Sequence, residues 1–138
     1  MLYRRPYPIE FNHCDPAGIV FYPRYFEMTN HVCENFFREA VGVSFGAMMK
    51  QGAGVPTVRI ETDFRAPSRL GDVLEVTLEV VRLGASSVTF ELMGACEGQV
   101  RLVVLLTLVW VKAEAGVPVP QVWPQAMRVK LAEFLRQG

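Results

Sequence analysis

The sequence predicts an α+β domain, a curled antiparallel sheet wrapped around one long central helix, with an additional C-terminal helix. Three observations carry this expectation. One long stretch with helical period stands between extended segments. Beyond Gly54 the apolar residues alternate with period two. The alternating stretches are separated by short turns. Short turns favour antiparallel neighbours, because parallel strands need long crossovers. One helix packed on a curled sheet is then the economical way to bury the apolar face of each.

In chain order, Tyr7, Ile9 and Phe11 alternate with Pro8, Glu10 and Asn12, which predicts a short strand. The turn-forming Asp15-Pro16-Ala17-Gly18 follows. Pro23 suits a first helical turn, where its missing N–H costs nothing. Phe26, Thr29, Asn30, Cys33, Phe36, Phe37 and Ala40 recur at three- and four-residue steps and predict the apolar face. Glu27, His31, Glu34 and Arg38 predict the solvated one. Gly42 is the expected stop, and residues 44–50 add a short helix. Strands are expected around residues 58–65, 74–80 and 88–92, with turns at 67–72, 84–86 and 97–98. Residues 102–111 are apolar on both faces, which predicts a central strand or one in a subunit interface. Residues 117–120 read as loop. Residues 124–136 read as the C-terminal helix, with Met127, Leu131, Phe134 and Leu135 on one face.

With 138 residues and 51% hydrophobic side chains, a single domain over residues 1–138 is expected. Fourteen basic and fourteen acidic side chains cancel. That balance argues against nucleic-acid and anionic-membrane partners, which need a basic surface to displace counterions. The apolar run at 102–111 is about half the roughly 20 residues that cross a bilayer as a helix. The N-terminal residues lack the apolar core of a signal peptide. Cys14, Cys33 and Cys96 are odd in number and widely spaced, which predicts neither a disulfide framework nor a thiolate zinc site, and points to a reducing cytoplasm. The sheet would leave an apolar edge or face uncovered, so a homo-oligomer is expected.

The chemistry lies in residues 11–25. Asp15 stands just before a glycine-containing turn that leads into a helix N-terminus. Free backbone N–H groups point out of such a terminus, and its dipole favours negative charge. A carboxylate there is available as nucleophile or base, and the same N–H groups suit the oxyanion formed when a carbonyl is attacked. The plain alternative is that Asp15 only forms the turn or caps the helix. His13 and Asp15 would share a face of an extended stretch, roughly 7 Å apart. Cys14 points to the opposite face from His13 on a strand, so the two make a poor nucleophile–base pair. His13, Cys14, His31 and Cys33 match no compact zinc pattern.

The run Asp15-Pro16-Ala17-Gly18-Ile19-Val20-Phe21-Tyr22-Pro23-Arg24-Tyr25 resembles the active-site signature of the 4-hydroxybenzoyl-CoA thioesterase family, a branch of the hotdog-fold acyl-CoA thioesterases. The predicted element order fits that fold over roughly residues 5–112. The resemblance implies hydrolysis of an acyl-CoA by water to a free acid and coenzyme A. It implies sheets joined edge to edge in dimers, dimers pairing into tetramers, sites at subunit interfaces, and no metal or bound cofactor. It places the catalytic carboxylate on Asp15, acting as nucleophile or as general base toward water, and the oxyanion-binding amide on Tyr22.

Three departures qualify the match. Asn30 stands where the 4-hydroxybenzoyl branch has an acidic residue facing the ring hydroxyl. Helical spacing sets Asn30 on the order of 10 Å from the helix start, which suits the far end of a small acyl group. Its neutral amide favours other short-chain or aromatic (benzoyl-type) acyl groups. His13 stands where relatives often carry an acid. The turn at 84–86 lacks the branch's basic residues, leaving Arg82 with Ser86 and Ser87, or else Arg59, Arg65 or Arg69, to meet the coenzyme A phosphates. Expected substrate contacts are thus His13, Gly18 (through its backbone), Asn30, Arg82, Ser86 and Ser87. Two other readings use the same residues: a non-catalytic acyl-CoA-binding protein, and an enoyl-CoA hydratase-like enzyme using Asp15 with His13.

Overall fold

A computed structural model describes residues 1–137. Strand β1 spans Tyr3–Pro8 and helix α1 spans Arg24–Phe36. A wider helical turn at Phe37–Val41 continues α1, and a short α2 covers Phe45–Lys50. Strands β2 (Ala53–Gly54), β3 (Thr57–Phe64), β4 (Val73–Leu83), β5 (Ser87–Cys96) and β6 (Gln99–Val109) follow, then β7 (Val111–Glu114), β8 (Val117–Pro120) and α3 (Gln125–Ala132). Five strands form an antiparallel sheet in the order β1-β4-β5-β6-β3, and β2-β7-β8 form a small second sheet. No helix among the described residues is long and apolar enough to cross a membrane.

Helix α1 lies on the sheet through Tyr25, Met28, Thr29, Val32, Cys33 and Phe36, all buried. Phe36 is its deepest contact. Its ring meets Tyr3 at 5.4 Å, Phe90 at 5.3 Å and Phe134 at 5.0 Å between centroids, all edge to face, an arrangement aromatic quadrupoles favour. The helix ends as expected at Gly42, whose φ of +87° costs a glycine little and whose N–H donates to the Phe37 carbonyl. Ser44 caps α2 by accepting the Ala47 amide.

Several expectations need correction. The predicted strand around Tyr7–Phe11 lies earlier in the chain, at Tyr3–Pro8. Phe11–His13 form a single 3₁₀ turn, with the Phe11 side chain in solvent. Pro6 and Pro8 fit the strand because β1 is an edge strand, where a missing N–H goes unnoticed. The apolar face of α1 is rotated from the predicted one: Asn30 is exposed and Phe26 only half-buried, while Tyr25, Met28 and Val32 face the sheet. These three carry more apolar surface, so burying them wins. Residues 117–120, read as loop, form β8. It is an edge strand, so Pro118 and Pro120 are again tolerated. Helix α3 stops at Ala132 rather than Arg136, and Leu135 instead makes a parallel bridge to Val80.

The largest correction concerns β3 and β4. They are consecutive but do not pair: β3 pairs with β6 on the far edge, and residues 65–72 cross back to β4. Strand β6 is central between β5 and β3, as its two apolar faces predicted. The crossover passes directly over the loop that carries Asp15.

Candidate active site

The segment from Ile9 to Val20 is held at both ends by the crossover. Ile9 donates to the Asp72 carbonyl at 2.8 Å and accepts from the Gly71 amide at 3.0 Å. Val20 donates to the Ser68 carbonyl at 2.9 Å. Between these anchors the chain turns back on itself. Cys14 bridges Val20, Asp15 N–H donates to the Ile19 carbonyl at 3.1 Å, and Phe21 N–H donates to the His13 carbonyl at 2.9 Å. Gly18 closes the turn with φ +80°, and its N–H donates to the Asp15 carbonyl at 2.9 Å. A side chain there would be strained.

The half-buried Asp15 carboxylate accepts the Ala17 amide through Oδ1 at 2.9 Å. That bond is the turn-forming role expected of an Asp before Pro-Ala-Gly. Among the described residues the other carboxylate oxygen has no partner. At the start of α1 the amides of Arg24, Tyr25 and Phe26 donate to the carbonyls of Phe21, Tyr22 and Pro23. Proline has none to give. Among the described residues, the Tyr22 amide is left without an acceptor.

Tyr22 also lines a cleft of about 300 Å³, together with Ile19, Val20, Tyr25, Phe64, Arg65, Ala66 and Pro67; Asp15 is not among its lining residues. Phe64, at the end of β3, gathers its aromatic wall. The rings of Tyr22, Tyr25 and Phe26 lie 6.0, 5.8 and 6.4 Å from it. The arginine Arg69 reaches over the turn, its Nη1 4.0 Å from where a Gly18 Cβ would stand.

The other expected residues lie elsewhere. His13 is buried against Tyr7, with ring centroids 5.5 Å apart, and its Nδ1 accepts the Glu10 amide at 2.8 Å. That bond leaves the proton on Nε2 and makes His13 a brace of the turn before Asp15. Asn30 is exposed on α1, outside the packed helix–sheet seam. Arg82, Ser86 and Ser87 sit at the far end of β4 and its hairpin, ten residues or more along the chain from Asp72. Within one chain they are not brought to Asp15. The hairpin is also engaged. Ala85, Ser86 and Ser87 carbonyls accept from Trp123 N, Trp110 N and Trp123 Nε1, and Arg128 donates to the Gly84 carbonyl. Cys33 lies on the buried face of α1, where burial and then the nearby Glu34 charge push its thiol up to about 12. A thiol so placed is a poor nucleophile.

Sequence reasoning missed Arg101 and Ser68. Both are buried polar residues, Ser68 in the crossover and Arg101 in β6 beneath it, and a single polar position in a link or in an apolar strand gives no periodic signal.

Fold and site together define a hotdog-fold domain: one helix cradled in a curled antiparallel sheet, with an acidic turn leading into the helix start. The chain matches the thioesterase-like superfamily over residues 9–134, and it belongs to that family. It is thereby a thioester hydrolase. No curated protein sequence matches it. Among solved structures it is similar to a dynemicin thioesterase studied for polyene binding, with TM-score 0.92, 18% identity and full coverage of both chains. A 1,4-dihydroxy-2-naphthoyl-CoA thioesterase from Synechocystis aligns at TM-score 0.84 and 18% identity, covering 96% of this chain and 97% of that one. A gentisyl-coenzyme A thioesterase aligns at TM-score 0.80 and 24% identity, over 93% and 99%. At such identities the likeness speaks for the fold.

Proposed function

We propose that the protein hydrolyses a short-chain or benzoyl-type aromatic acyl-CoA to the free acid and coenzyme A, with Asp15 as nucleophile or general base and the Tyr22 amide as oxyanion donor. The observation that carries this reading is one short hairpin. It joins a carboxylate oxygen without a partner to an amide without an acceptor, and the residue that carries the amide, Tyr22, lines an open cleft. The thioester carbonyl oxygen accepts from Tyr22 N–H. Asp15 either attacks the carbonyl carbon, giving a mixed anhydride that water then opens, or takes a proton from the attacking water. In both routes the departing sulfur leaves as coenzyme A thiol.

The ring cluster of Tyr22, Tyr25, Phe26 and Phe64 supports a small, flat acyl group. Two structural neighbours act on aromatic acyl-CoA esters, in keeping with this choice. The motif's resemblance to the 4-hydroxybenzoyl branch points the same way, whereas the neutral Asn30 argues against a dependence on the ring hydroxyl.

The reading also calls for a second copy. Strand β3 is an unpaired edge that exposes Val58, Ile60 and Phe64. Two-fold pairing of β3 with itself sets the start of one strand beside the end of the other. That pairing swings the Arg82–Ser87 end of one copy toward the Asp15 cleft of the other, where the coenzyme A phosphates would lie. It also gives the exposed side of α1, with Asn30, a neighbour.

The test is a panel of acyl-CoA esters varied in chain length and ring substitution, scored by kcat/KM from thiol release. Benzoyl-type or short-chain esters should lead, with 4-hydroxybenzoyl-CoA no more than about tenfold better than benzoyl-CoA, the value of one hydrogen bond. Hydrolysis restricted to long-chain esters would contradict the proposal.

A further inference from the structure

Arg101, the third residue of β6, is the only buried arginine among the described residues, with 8% of its surface exposed. Its Nη1 donates to the Pro67 carbonyl at 3.0 Å, to Ser68 Oγ at 3.3 Å and to Asp72 Oδ2 at 2.7 Å. Its own carbonyl accepts the amides of Arg65 at 2.8 Å and Ala66 at 3.2 Å. One residue thus touches the crossover at five of its eight positions. A buried guanidinium is costly to desolvate, and Arg101 Nε is buried with no partner among the described residues. A well-packed apolar residue often serves stability as well as a buried ion pair does. The arrangement therefore asks for another role.

That role follows from what the crossover holds. Gly71 and Asp72 grip Ile9, Ser68 grips Val20, and Arg69 bridges Ile19, whose carbonyl accepts the Asp15 amide. Every tertiary anchor of the Asp15 turn named above runs through residues 68–72, and Arg101 pins that stretch from beneath.

We propose that Arg101 is a positioning residue for thioester hydrolysis. By clamping Pro67, Ser68 and Asp72, it fixes the Asp15 carboxylate relative to the Tyr22 amide. The inference rests on the assignment of Asp15 and Tyr22 above. Reacting groups must lie within about 3–3.5 Å and in line, and an error of about 1 Å costs roughly a hundredfold in rate. Lysine is not equivalent, since its ammonium sits on a flexible stem without the rigid planar guanidinium that places Nη1 among the three acceptors.

Two variants test this. Arg101→Lys keeps a charge for Asp72. Arg101→Met combined with Asp72→Asn removes both charges, so that the half-buried Asp72 carboxylate is not left without its cation. For variants with cooperative thermal melts, kcat should fall about 10- to 100-fold with KM little changed, the mark of an effect on chemistry rather than on binding. Amide exchange at Asp15 and Val20 should quicken by about tenfold or more while Leu92, in central β5, is unaffected. Should the double variant fail to fold, Arg101→Lys decides alone. Wild-type kcat in a folded variant, or unchanged exchange at Val20, overturns the proposal. Full turnover in Asp15→Asn would instead strike the assignment of the nucleophile, and the exchange at Val20 would still report on what Arg101 holds.

Discussion

Asp72 is the hinge of the crossover's chemistry. The Arg69 amide at 2.9 Å and then the Arg101 guanidinium at 2.7 Å hold its carboxyl below the usual carboxylate range. A depressed folded-state pKa stabilises the fold above the unfolded value, about 3.9, and that stabilisation is lost as pH falls through the folded value. Thermal melts of wild type and Asp72→Asn should therefore differ most at neutral pH and converge as pH falls through the lowered folded-state value of Asp72. A gap that widened on acidification would contradict the pairing. At this scale the Asp15–Gly18 turn was legible, because its bonds are local and its residue types dictate it. The positions of His13 and Asn30 were not. His13 was misplaced because a 3₁₀ turn replaces the strand that would have aligned it with Asp15. Asn30 was misplaced because three- and four-residue steps describe two adjoining stripes of one helix, and only the sheet's demand for Tyr25, Met28 and Val32 chooses between them.

Each secondary element is tied to the next by a few large contacts. Phe36 joins α1 to β1, β5 and the segment after α3 through three edge-to-face pairs and is fully buried. Phe36→Ala removes them together and should cost about 3–5 kcal/mol in denaturant unfolding. A loss under about 1 kcal/mol would mean that the helix does not depend on this ring. Periodicity found α1, β4, β5 and β6 because each has one face buried or sits in mid-sheet, and it found β3, an exposed edge strand, from its alternating residue types. It could not show that β3 pairs with β6, since an eight-residue link between antiparallel strands looks the same whether it turns locally or crosses a curled sheet. It also read the prolines of β8 as loop, because edge position is a property of the sheet and not of the strand.

For the whole molecule the deciding feature is how the two sheet edges are treated. On one side β1 covers β4 only as far as Leu78. Beyond that point Phe134 and Arg136 exchange hydrogen bonds with Val80, and the Arg136 guanidinium pairs with Glu79 and Glu91, each at 2.5 Å. On the other side β3 is bare and exposes Val58, Ile60 and Phe64 among charged residues. If β3 joins two copies, wild type should elute and scatter light as a multiple of 15.5 kDa. Ile60→Lys should then shift it to monomer with loss of most hydrolysis, because the coenzyme A end of the site comes from the second copy. A monomeric wild type with full activity would refute that arrangement. The proposed reaction turns on Asp15. Asparagine there retains the oxygen that accepts the Ala17 amide, so Asp15→Asn keeps the turn and removes only the charge. Thiol release from the best acyl-CoA ester of the panel should fall by about 10²–10⁴-fold in kcat, with an unchanged melting temperature. Undiminished kcat in a folded Asp15→Asn would mean that this carboxylate shapes the loop and does not take part in the chemistry.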